Sequence, residues 1–146
     1  MGRKGAAMLG KPEAGWSEVT IGSFHEYASY LTDVPFDCVN ACIRRIKDNV
    51  PLEMSFDSEC HGIFFVSADS QHTVITWEEE REAVCIPDVN DVQLVREIIH
   101  DIDCCQIDWR DEWDGVPLEV LLQKLAELKA LAAEWEPLKK RAQPQK

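Results

Sequence analysis

The alternation of apolar and polar positions along the chain changes period several times, and each change marks an element. Trp16–Ile21 alternates at period two and predicts a short strand. Ser23 and Glu26 then stand at capping-box spacing and predict a short helix over about 23–31. Thr32, Asp33 and Pro35 form a second start signal, because Asp accepts from orphan N–H groups and Pro in the first helical turn forfeits no hydrogen bond. Phe36, Val39, Cys42, Ile43 and Ile46 recur at helical spacing, giving a helix over about 35–48 that Pro51 closes.

From residue 52 the period falls to two. Leu52, Met54 and Phe56 alternate with polar residues, and Gly62–Val66 and Thr73–Trp77 are rich in β-branched and aromatic side chains. Ala83–Ile86 is a last short run before Pro87, and the breaks between these runs are short. Four strands in an antiparallel meander over 52–86 follow. Helical spacing returns at Val92, Val95, Ile98, Ile99 and Ile102, for a helix over about 90–104. After Gly115 and Pro117, the positions Leu118, Leu121, Leu125, Leu128, Ala132 and Trp135 step by three and four, predicting one long helix over about 117–138. Leu122 and Leu131 widen this stripe into one suited to covering a sheet. The fold class expected is therefore α+β, an antiparallel sheet of about four to five strands packed by those four helices.

Composition adds that 146 residues suit one domain with one core, and that a 45% hydrophobic share with five Trp and five Phe is too apolar for a disordered chain. Residues 16–138 form the expected domain, with 1–15 and the basic 139–146 as flexible tails. No apolar run approaches the roughly 20 residues that cross a bilayer, and no signal-peptide stretch is present, so a cytoplasmic location is expected. The six cysteines, Cys38, Cys42, Cys60, Cys85, Cys104 and Cys105, then read as free thiols.

Charge sharpens this picture. The net charge is −12, yet the first fifteen residues carry +2 and the last ten +4, which leaves −18 on residues 16–136. Such a surface repels nucleic acid and anionic lipid and steers basic partners toward it. Asp101, Asp103, Asp108, Asp111, Glu112 and Asp114 face only Arg110 as counter-charge, and Trp109 and Trp113 are interleaved with them. Carboxylates with four-apart tryptophans have the composition of a protein-binding hot spot. The competing reading is a solvated loop whose indoles fold back onto the core. Glu78, Glu79, Glu80 and Glu82 form a second acidic run on an expected hairpin tip.

The chemistry-bearing motifs are few. The chain has no nucleophile elbow, P-loop, dinucleotide fingerprint or zincin motif, and no enzyme is expected. Cys38 with Cys42 and His100 with Cys104 each stand four apart, so two helical faces supply the donors of a tetrahedral zinc site; the helical core claims Cys42 first. The adjacent Cys104 and Cys105 are expected to point in different directions. Residues 101–112 place Asp, Asp and Glu at positions 1, 3 and 12 of a calcium loop but Cys105 and Gln106 at positions 5 and 6, where an EF-hand needs a ligand and Gly. Neither a metal nor a cofactor is expected.

In size, charge and α+β make-up the chain resembles immunity proteins that neutralise nuclease toxins and phage-encoded inhibitors of restriction or CRISPR systems. The resemblance implies an acidic inhibitor that blocks a basic, nucleic-acid-handling partner by imitating a phosphate surface, without binding nucleic acid or membrane itself. It assigns no residue. The second expectation, from a different class, is a homodimeric structural or adaptor protein associating through Leu118, Leu121, Leu125, Leu128 and Trp135.

Overall fold

The period-two segment from residue 52 becomes a four-stranded antiparallel meander in the computed structural model, which describes residues 8–142 and the side chains of residues 8–139. Its strands are β3 (Leu52–Asp57), β4 (Ile63–Ala68), β5 (Thr73–Trp77) and β6 (Val84–Ile86), in that spatial order. They follow β1 (Trp16–Ile21), β2 (Phe24–Ser29) and α1 (Val34–Asp48). They precede α2 (Asp91–Asp103), α3 (Gln106–Glu112), α4 (Leu118–Ala133) and α5 (Glu136–Ala142).

Register sorts the sheet into two faces. Leu52, Ala68, Thr73 and Ile86 form one rung, Met54, Val66, Ile75 and Val84 the next, and Phe56, Phe64 and Trp77 the third. All point inward, and the third is aromatic, with Phe56 and Phe64 stacked at 5.2 Å and Phe64 tilted against Trp77 at 5.2 Å. The opposite face carries Glu53, Ser55, Phe65, Ser67 and Thr76. A one-residue slip would turn the aromatic rung into water, so the pattern pins the register.

Helix α1 touches β3 on one side and α4 on the other, which explains why Val34, Cys38, Val39, Ala41, Cys42 and Ile43 are all buried. Its start matches the expected signal: the Asp33 carboxylate accepts from the Phe36 N–H at 3.4 Å, and Pro35 sits in the first turn. At its end Asn49 takes the left-handed conformation before Pro51. Arg45, on the last turn, donates to the buried Asp91 at 2.8 Å and lies over the Trp135 ring at 5.3 Å, tying together α1, the start of α2 and the α4–α5 junction. Leu121, Leu125 and Leu128 of α4 are buried within this chain's own core, against which the half-buried Leu118 and Trp135 also pack. The leucine seam thus covers α1 rather than the sheet.

Three expected boundaries are corrected. The helix expected over 23–31 is the strand β2, joined to β1 by the two-residue loop Gly22–Ser23. Gly22 adopts φ +56°, as the first central residue of a tight hairpin requires, and a Cβ there would also meet the Ile86 side chain at 2.7 Å. A Gly-Ser turn therefore outcompetes the capping box read at Ser23 and Glu26. The helix expected over 117–138 breaks at Glu134–Trp135 into α4 and α5, because Pro137 has no N–H to return to Ala133 and its ring would strike that carbonyl.

The third correction concerns the N-terminal tail. Residues 8–15 pack on the fold: Met8 and Leu9 are buried, Leu9 bridges Val19, and the Thr20 N–H donates to the Met8 carbonyl at 2.9 Å. Ala14 and Gly15, both at positive φ, turn this strap back into β1. Residues 1–7 and 143–146 of the expected tails lie outside the described residues.

Candidate functional site

The acidic, tryptophan-bearing segment folds into the end of α2, the short helix α3 and the loop to α4. Both indoles turn inward. Trp109 is 3% and Trp113 7% exposed, and the two rings meet edge to face at 5.3 Å. Trp109 Nε1 donates to the Asp101 carbonyl at 3.2 Å, and Trp113 Nε1 to the Thr32 carbonyl at 3.1 Å. Trp109 and Trp113 therefore belong to the core, a correction to their expected place on a binding surface. The two largest apolar groups of the segment are the ones that pack, Trp109 from α3 and Trp113 from the extended residue that ends it.

The carboxylates divide into three sets. Asp101 is 3% exposed and is withdrawn from the surface; its Oδ2 accepts the Leu9 N–H at 2.8 Å and so anchors the N-terminal strap. Burial raises its pKa, opposed by the Leu9 N–H and by His100, whose Nδ1 lies 3.3 Å from Oδ1. Asp103 and Glu112 remain exposed but are engaged. Asp103 pairs with Lys129 of α4 at 3.0 Å, which lowers its pKa, while the Glu112 side chain takes the Ala14 N–H at 2.7 Å and its carbonyl the Gly15 N–H at 2.9 Å. Asp108, Asp111 and Asp114 form the third set. Asp111 pairs with Arg110 at 2.8 Å, and among the described residues Asp108 and Asp114 make no ion pair. Asp111 and Asp114 are exposed and Asp108 is half-buried, and these three, with the exposed Ile107, are the ridge that the segment offers.

Asp33 locks the ridge to the rest of the fold. While Oδ1 caps α1, Oδ2 accepts the Val116 N–H at 2.9 Å, and the carboxyl lies directly against Gly115. A Cβ on Gly115 would sit 2.6 Å from Asp33 Cγ, so glycine is needed here for close approach.

Glu78, Glu79, Glu80 and Glu82 are exposed in the β5–β6 connection, as expected for a hairpin tip. Arg81, in their midst, folds over the Trp77 ring at 4.0 Å and donates to the His61 carbonyl at 2.6 Å. That cation holds the loop against the sheet and leaves the glutamates outside. No hydrogen bond or ion pair among the described residues joins this loop to α3.

Sequence reasoning missed two other features. A cleft of about 570 Å³ lies between α1 and the solvent face of the sheet, walled by Asp37, Asn40, Arg44 and Glu53 over Phe65, which is 40% exposed. Desolvation and the nearby Asp33 raise the Asp37 pKa. A hollow of about 340 Å³ beside the first hairpin contains Trp16, Glu26, Tyr27, Cys60 and His61, with His61 Nδ1 3.2 Å from Glu26 Oε1. Next to it Glu18 accepts from His25 at 2.8 Å and Tyr27 at 3.2 Å, and the His25 contact holds the Glu18 pKa down. The misread of residues 23–31 concealed both clusters, since only a strand places His25 and Tyr27 on one face with Glu18 across from them.

Among the described residues no three His, Cys, Asp or Glu side chains converge as a metal site. Cys38 and Cys42 are buried in α1, where desolvation raises both thiol pKa values, whereas His100 and Cys104 are exposed. No described helix is long and apolar enough to cross a membrane. No protein-family model matches the chain, and neither the curated proteins nor the solved structures contain a significant match to it.

Proposed function

We propose that the protein is an acidic binding protein that docks on a basic, nucleic-acid-handling protein and occludes its phosphate-binding surface. The observation that carries this reading is the ridge on α3. Its indoles are buried in the core and hold the segment, so Asp108 and Asp111 on α3 and Asp114 just beyond it stand on a packed base, and among the described residues two of the three lack a counter-charge. Fixed carboxylates at the rim of a chain of net charge −12 supply long-range steering and register, while the hydrophobic share of the contact falls to groups such as Ile107. An inhibitor of the phage anti-defence or nuclease-immunity kind is the class this describes.

The test uses affinity capture followed by binding at low and high salt. Asp108→Lys with Asp111→Lys and Asp114→Lys is expected to weaken the captured partner at least about tenfold at low salt and to flatten its salt dependence. Nucleic acid is expected to compete with the wild-type protein for that partner. Unchanged affinity in the triple variant, or a partner that binds nucleic acid and this protein together, would overturn the proposal.

A further inference from the structure

Cys104 and Cys105 were expected to diverge, because neighbours in a regular helix do not face each other. They converge instead, with Sγ atoms 3.2 Å apart. The helical path is interrupted at the pair: Cys104 closes α2 at φ −74°, ψ −16°, and Cys105 precedes α3 at φ −130°, ψ 38°. That change of direction swings the second thiol onto the first.

The corner is held from several sides. Cys104 N–H donates to the His100 carbonyl at 2.9 Å, Cys105 N–H to the Ile102 carbonyl at 3.3 Å, and Trp109 N–H to the Cys105 carbonyl at 3.0 Å. The Asp101 carbonyl, fixed by the Trp109 indole, lies 3.7 Å from Cys104 Sγ. Two sulfurs are thus pre-positioned on a backbone that packing has already ordered, so the entropy of bringing them together is met by folding. Cys104 is exposed and Cys105 half-buried, which leaves the pair open to a small reagent.

A direct S–S bond fits this corner poorly. Adjacent Cα atoms stand about 3.8 Å apart across a trans peptide, whereas disulfides span about 4.4–6.8 Å between Cα atoms, and shortfalls are stored as strain. A single larger atom set between the sulfurs removes that conflict. A pyramidal trivalent arsenic centre holds two thiolates near mutual contact, the arrangement already present, and needs no third protein ligand.

We infer that Cys104 and Cys105 form a vicinal dithiol site that chelates monosubstituted trivalent arsenicals. Uptake is a condensation: two S–H bonds break and two S–As bonds form, the two protons leave with the arsenoxide oxygen as water, and no atom changes oxidation state. Burial, and then the neighbouring Cys105 thiol, push the Cys104 pKa up to about 11. The Cys104 proton therefore remains in place at neutral pH, and uptake through that thiol accelerates as pH rises. The other described thiols offer no equivalent. Cys38 and Cys42 are sealed in the core, and Cys60 and Cys85 are exposed singly.

The experiment treats the reduced full chain with phenylarsine oxide in a large excess of glutathione and reads the intact mass. Monothiol adducts exchange away under those conditions, while a chelate persists until a dithiol removes it. The wild-type chain is expected to retain one phenylarsenic group, mapped by digestion to residues 104–105, and Cys60→Ser and Cys85→Ser are expected to retain it. Cys104→Ser and Cys105→Ser are each expected to lose it, with circular dichroism verifying that both remain folded. Should Cys105→Ser unfold, the Cys104→Ser result decides alone, since Cys104 is exposed. A wild-type chain that holds no arsenic against glutathione, or a folded Cys104→Ser chain that still holds it, would overturn the inference.

Discussion

Replacing Asp33 by Ala should be among the most damaging changes available outside the apolar core. The side chain has two independent functions. Its Oδ1 caps α1 through Phe36, at a long 3.4 Å, and loss of an Asp cap costs about 0.5–2 kcal/mol, here at the lower end. Its Oδ2 accepts the Val116 N–H at 2.9 Å across 83 residues of sequence, and a hydrogen bond to a charged group is worth about 1.5–3 kcal/mol, reduced because Asp33 is only half-buried. Together Asp33→Ala should cost about 2–3 kcal/mol. Asp33→Asn should fall between, since Asn caps as well as Asp but offers only one acceptor oxygen.

Gly115 makes the reasoning refutable. Gly115→Ala alone should destabilise, because the new methyl collides with the Asp33 carboxyl and must displace it from both partners. In the Asp33→Ala background that collision is gone, and Gly115→Ala should cost almost nothing, as this glycine is not held at positive φ. Urea unfolding of the four proteins in a double-mutant cycle measures the coupling, expected at about 1–3 kcal/mol. Additive effects would mean that Asp33 and Gly115 do not act on each other, and the account of this junction would fail.

Two further perturbations test the same region. Trp109→Ala should cost about 3–5 kcal/mol in urea unfolding and expose the α2–α3 corner to hydrogen exchange, whereas Trp109→Phe should lose only about 1 kcal/mol with its single hydrogen bond; equal losses would contradict the packing role. Asp101 has a raised folded pKa, so its stabilising contribution is complete below the unfolded value near about 3.9 and is lost as pH rises through the folded value. Asp101→Asn stays neutral and keeps an acceptor for the Leu9 N–H, so its stability relative to wild type should improve as pH rises above about 4; a trend in the other direction would refute the burial argument.

The parts of the fold legible in the sequence were those where one physical signal acted alone. In the meander over 52–86 the alternation of Leu52, Met54 and Phe56 selects the residues that point inward from β3, while β4 and β5 were legible as apolar, β-branched runs whose inward face the register decides. Helix α1 had a cap, a proline and an apolar stripe in agreement. The misread segments are places where two local signals compete. At 21–24 the Gly-Ser turn and the Ser-x-x-Glu box exclude one another, and tertiary pairing of Ile21 with Phe24 decides. At 132–138 the leucine period runs into Pro137, whose missing N–H ends the helix whatever the pattern demands. Residues 8–15 were illegible for a different reason: Met8 and Leu9 are buried by the partners they find in Val19 and Asp101, which no local pattern announces.

The candidate site was legible in composition but not in the assignment of roles. Spacing showed Trp109 and Trp113 four apart among the acids and could not tell whether the indoles faced a partner or the core. The structure answers through Thr32 and Asp101, whose carbonyls take the two indole N–H groups, and that answer re-sorts the acids around them. Asp101 and Glu112, which look equivalent to their neighbours in sequence, each hold the N-terminal strap, so their reversal would report on folding. Among the described residues, Asp108, Asp111 and Asp114 take part in no such contact with another element. A charge-reversal experiment across the whole segment would therefore mix loss of structure with loss of binding, and only the set restricted to those three can distinguish a partner surface from a solubilising one.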